Sequence, residues 1–220
     1  MTDRPDTGFA RIQRRAACLF APNARIESAA PFHGARAREA GVAAAAVLGA
    51  FAARIEADQL DGLMIELTRG HHGDCLAALA ATTREVLTGL LEENDATGGE
   101  LASAGSEHWW LRLHGTRWFV LTFAPCYAVT SPRHTFGSSS TFIVLQPVES
   151  FDRHATPRGG LISDAVRQRI RRAYATRGCE YDGDLAQQGV EALKFVWPRH
   201  LGEAPVRWWP SPARSEPATS

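Results

Sequence analysis

The chain has 220 residues, 45% of them hydrophobic, and its 24 basic side chains are matched by 24 acidic ones. A balanced charge supplies no broad basic field, which argues against nucleic acid as a partner. Four scattered cysteines, Cys18, Cys75, Cys126 and Cys179, show no CxxC spacing and so no zinc ribbon.

The opening from Met1 to Arg15 is polar and Arg-rich, unlike a secretory signal, so the expectation is a cytoplasmic protein with free thiols. Residues 1–8 read as a loose leader. Arg36 to Ala57 is alanine-heavy and free of proline, which predicts a helix. Within it, the longest apolar run, Val42 to Ala53, is about twelve residues and too short to span a bilayer, so no membrane partner is expected. Gly62 to Leu67 predicts a short buried strand, broken by Gly70-His-His-Gly73. Asp74 is placed to cap the next helix, whose apolar residues recur at helical spacing from Leu76 to about Glu93.

Asn94 to Ser106 reads as a loop. Trp109 to Phe123 alternates as a hairpin turning at Gly115-Thr116, and Thr141 to Gln146 as a further buried strand. Phe151 to Gly160 is a connector. Ser163 or Asp164 caps a helix with Ile162, Val166, Ile170 and Tyr174 on one stripe, ending at Gly178. A last short helix is expected within Asp184 to Leu193, and a Pro- and Ser-rich disordered tail over 210–220. A few strands bracketed by helices, without regular βαβ alternation, predict one α+β domain over 9–209 with a small, largely antiparallel sheet.

The stretch from Phe119 to Phe136, followed by Ser140 to Pro147, carries the most chemistry. Two strand-like runs enclose a loop holding Cys126, Tyr127, Arg133 and His134, fenced by Pro125 and Pro132. Such loops on rigid scaffolds are where binding and catalytic groups gather. From about Leu60 to Val190, the order of features resembles the YqcI/YcgG family. The carriers are Trp109 or Trp110, Trp118-Phe-Val-Leu121, Pro125, Arg133, Phe142 to Leu145, Gln146-Pro147 and Phe151. The Arg-rich segment Val166 to Arg171 and Tyr181-Asp182 follow in the same order. The family's Phe-Pro-Cys segment is replaced by Ala30-Pro-Phe-His-Gly, which puts His33 near the place of that cysteine.

The resemblance implies a haem-dependent oxygenase, a monooxygenase that hydroxylates a nitrogen of a small amine or guanidine substrate. It implies haem b, dioxygen as co-substrate and an external electron donor, and leaves a homodimer open. Under it, His33 is the favoured iron ligand, with His71, His72, Cys126 and His134 as the other candidates. Arg133 is a carboxylate clamp, catalytic together with Tyr127. Cys126, His134 and Trp118 join Arg133 and His33 in holding the cofactor. A haem site needs one strong ligand, an apolar slot and cations for the propionates.

Each residue also has a plainer reading. His33 can be a loop histidine bonded to nearby backbone, His71-His72 a solvated turn, and Cys126 a small buried hydrophobe. Tyr127 can be a strand-end aromatic, and Arg167 to Arg172 a solvated helix face. The aromatic residues can be core, and Trp208-Trp209 either packs back on the domain or meets a partner. A haem carrier without turnover and an interaction domain with a decayed site are the alternative functions.

Overall fold

The computed structural model describes residues 8–94, 99–154 and 164–211. The leader, apart from Gly8, residues 95–98, the 151–160 connector from 155 onward, residues 161–163 and the tail from 212 onward lie outside them. Strands β1 (Ile26–Ser28), β2 (Gly62–Leu67), β3 (Leu111–Leu113), β4 (Thr116–Phe123) and β5 (Thr141–Pro147) form one sheet in the order β1-β2-β5-β4-β3. Only the β1–β2 pair is parallel, so the fold is α+β with a mostly antiparallel sheet, as the sequence predicts. The parallel pair follows from connectivity. Helices α2 (Ala37–Ala52) and α3 (Ile55–Asp58) carry the chain back across the sheet between β1 and β2.

Central strands β2 and β5 are covered on both faces, which explains their nearly unbroken apolar sequences. One face presents Leu63, Ile65, Val120, Ile143 and Leu145 to α2 and α4 (Leu76–Glu92). The other presents Met64, Phe142 and Val144 to Phe9 and Ile12 of α1 (Gly8–Arg15). Helices α2 and α4 cross at two glycines. A Cβ on Gly41 would collide with the Val86 carbonyl, and one on Gly89 with the Arg38 carbonyl, so glycine permits this backbone approach.

Several local expectations change. The predicted 36–57 helix breaks at Ala53-Arg54, where Arg54 turns to pair with Glu27 and Asp58 while Ile55 enters the core. Asp74 does not cap α4: its carboxylate engages His71, and the Cys75 sulfur accepts from the Ala78 amide instead. The hairpin turns on His114 and Gly115, both at positive φ (52° and 74°), one residue earlier than expected.

The chain continues through α5 (Gly99–Ala102), α6 (Ser150–His154), α7 (Asp164–Thr176) and α8 (Gly183–Ala186). Helix α6 occupies the start of the expected connector. At the end of α7, Gly178 takes φ 65° and Cys179 donates its amide to the Tyr174 carbonyl, closing the helix as glycine C-caps do. Val166, Ile170 and Tyr174 are half-buried, in line with the expected stripe; Ile162 lies outside the described residues. Trp208 and Trp209 are buried and pack back on the domain, with Trp208 stacked 5.4 Å from Phe195. Among the described residues, no helix is long and apolar enough to cross a membrane.

Candidate functional site

One end of the sheet collects most of the chemistry. Phe32 bridges to Leu67, the last residue of β2, which pairs with Thr141 at the start of β5. Phe123 ends β4 opposite Phe142. The loops leaving these strands therefore meet. The Cys126 amide donates to the Gly73 carbonyl (3.0 Å), and His72 Nε2 lies 3.2 Å from the Gly34 carbonyl. Gly73 is needed at this junction, since a Cβ there would strike Thr141 and Ala124. His33, Cys126, Tyr127, Arg133 and His134 are brought to this end. Trp118 is not: it sits near the other end of β4, fully buried against Phe51, its indole N–H given to the Leu113 carbonyl.

Four histidines at this end differ in which ring nitrogen is free. His33 is exposed, and its Nδ1 lies 2.6 Å from Thr68 Oγ1. The Thr68 hydroxyl has one proton, and it also reaches the Phe32 carbonyl at 3.3 Å. Both contacts form only when Thr68 donates to Phe32 and accepts from His33 Nδ1–H. That tautomer leaves the His33 Nε2 lone pair open. His71 is similar, with Nδ1 on Asp74 at 2.5 Å. The other two are engaged. Buried His72 contacts Gly34 and Thr82 through its two nitrogens. His134 Nδ1 accepts from the Phe136 amide (3.1 Å), and burial beside Arg15 holds its pKa below the ordinary value.

Three other expected site residues are built into the core. Burial pushes the Cys126 thiol up to about 11, so it stays protonated at neutral pH and is no ready thiolate. The Tyr127 hydroxyl donates to the Trp197 carbonyl (2.9 Å), and desolvation raises its pKa well above the usual phenol range. Arg133 is 4% exposed, lies over the rings of Phe123 and Trp197, and donates through Nη2 to the Lys194 carbonyl (3.3 Å). Its Nη1 is buried without a partner, and desolvation lowers its pKa.

These bonds belong to a strap. Strand β3 pairs only with Thr116 to Trp118, and residues 191–197 run beside the rest of β4. Thr122 Oγ1 donates to the Phe195 carbonyl (2.7 Å) and Trp208 Nε1 to the Ala192 carbonyl (2.7 Å), joining the Tyr127 and Arg133 bonds. Sequence inspection picks out His33 but not Thr68, because a threonine just past a strand carries no signal until its contact is known.

Among the described residues, no group of three or more His, Cys, Asp or Glu side chains is placed to hold a metal ion. A haem needs only one protein ligand, and a His33 ring held at Nδ1 with Nε2 unengaged can serve as one; Cys126, Tyr127 and Trp118 do not form a slot around it. Comparison with protein-family models, curated proteins and solved structures finds no match.

Proposed function

We propose that the protein is a haem-dependent oxygenase of the N-hydroxylase type, acting on a small amine or guanidine compound, with His33 as the iron ligand. The observation that carries this reading is the His33–Thr68 contact. Thr68 orients the ring and fixes the proton on Nδ1, as metal-bound imidazoles require of a neighbour. When bound, haem would supply activation of dioxygen with electrons from an external donor. The protein's own residues contribute ligand orientation at Nε2, while Cys126, Tyr127 and Arg133 are packed into the core beside the strap. Arg133 does not serve as a surface clamp, because its guanidinium is enclosed by Phe123 and Trp197.

The closed packing of Cys126, Tyr127 and Arg133 favours a second reading, a haem carrier without turnover. Absorption spectra of protein produced with a haem precursor test both. A Soret band that shifts on adding a guanidine or amine supports the oxygenase. A Soret band indifferent to every such compound, with no oxygen consumption, supports the carrier. Protein that takes up no haem on reconstitution removes both.

A further inference from the structure

Arginine is concentrated in an open cleft of about 380 Å³ between the chain after α1 and the C-terminal half of α7. One wall is Cys18 with apolar Ala17, Leu19 and Pro22. The opposite wall carries Arg169, Arg172 and Arg177. Arg177 ties the walls together by donating from Nη1 to the carbonyls of Arg15 and Ala16. Among the described residues, the guanidinium groups of Arg169 and Arg172 have no acidic or hydrogen-bond partner and no carboxylate lines the cleft. Neighbouring like charges without a counter-charge repel one another, an arrangement that an arriving anion relieves.

A second observation points the same way. Cys18 and Tyr174 lie within electrostatic range of the Arg133 guanidinium, whose Nη1 is buried and unpartnered. Arg133 thus adds a further guanidinium near Cys18, and no carboxylate pairs with it among the described residues. We propose that this cleft binds an anionic small molecule that presents a phosphate or a pair of carboxylates to Arg169 and Arg172 and rests an apolar body on Ala17, Leu19 and Pro22. Planar guanidinium forks match both oxyanions bidentately, and the volume falls in the range of small-ligand sites. The site does not depend on haem at His33.

Alkylation of Cys18, followed by peptide mass mapping of the full chain, tests the cleft. Exposed Cys75, at the start of α4, serves as the internal reference. The probes are inorganic pyrophosphate and isophthalate. Either probe should slow Cys18 labelling several-fold while leaving Cys75 unchanged, and Arg169→Gln with Arg172→Gln should weaken the protecting affinity by about tenfold or more. Protection by pyrophosphate alone assigns a phosphate ligand, and by isophthalate alone a dicarboxylate. The site is overturned if neither probe protects, if Cys75 is slowed equally, or if the double variant is protected as well as the native chain.

Discussion

The Arg133 guanidinium carbon stands 5.2 Å from the ring centroid of Trp197, so a cation from the loop after β4 holds the C-terminal strap from beneath. Among the described residues it has no carboxylate partner and one unpartnered nitrogen, so its burial carries a desolvation cost that one carbonyl bond and two ring faces offset only in part.

That balance separates two substitutions. Arg133→Ala opens a cavity between Phe123 and Trp197 and should lower stability by about 2–4 kcal/mol. Arg133→Met fills the same space without a charge and should leave stability within about 1 kcal/mol of the native chain, or raise it. Urea unfolding checks both. A Met variant as unstable as the Ala variant would mean that the cation itself holds the strap.

The strap's carbonyl bonds should be individually modest and mutually dependent. Tyr127→Phe removes the donor to Trp197 and leaves that carbonyl buried, at a cost of about 1–2 kcal/mol. Thr122→Val does the same at Phe195. A double-mutant cycle should give a coupling of about 0.5 kcal/mol or more, because both carbonyls lie on one segment. Strict additivity would contradict a single cooperative strap.

The helix crossing is less forgiving. Gly41→Ala and Gly89→Ala each set a methyl against a facing backbone carbonyl, which cannot turn aside as a side chain can. Each should destabilise by about 2 kcal/mol or more, despite alanine's better helix propensity. Thermal unfolding of either variant at or above the native midpoint would show that the helices do not approach so closely.

Alkaline pH should loosen the fold through Cys126. Its folded pKa is raised to about 11 from 9.0, so the fold favours the neutral thiol. The associated stability is complete below pH 9.0 and is lost as pH rises toward about 11. Tyr127 and Tyr181 are raised by burial in the same direction and add to the loss at higher pH. The melting temperature should fall over this window, and Cys126→Ala should remove part of the fall. A Cys126→Ala profile parallel to the native one would contradict the assignment.

Elements with strong local patterns were legible in the sequence: the 62–67 strand, the 76–92 helix and the 141–147 strand all come from unbroken apolar or helical periodicity. β1 was not, because three residues, Ile-Glu-Ser, have no period to detect, and its pairing with β2 depends on the intervening helices. Nor was α1, whose two core residues, Phe9 and Ile12, sit among arginines. At the site, Pro125, Cys126 and Arg133 mark a loop in the sequence whose Cys126 and Arg133 lie buried in the structure. Their enclosure by residues 194–197, some 60 to 70 positions further on, is a tertiary fact no local pattern encodes. Trp118 follows the strand alternation but lies away from the other candidates, near the start of β4, since a core tryptophan and a pocket tryptophan look alike in sequence.

His33 decides the functional account, and His71 is its natural control, because both present an open Nε2. Reconstituting the native chain, His33→Ala and His71→Ala with haem and recording their absorption spectra makes the comparison. The account predicts a Soret band for the native protein and for His71→Ala, and its loss or a marked shift with lowered stoichiometry for His33→Ala. An unchanged spectrum and stoichiometry in His33→Ala, or a native chain that binds no haem, would contradict it.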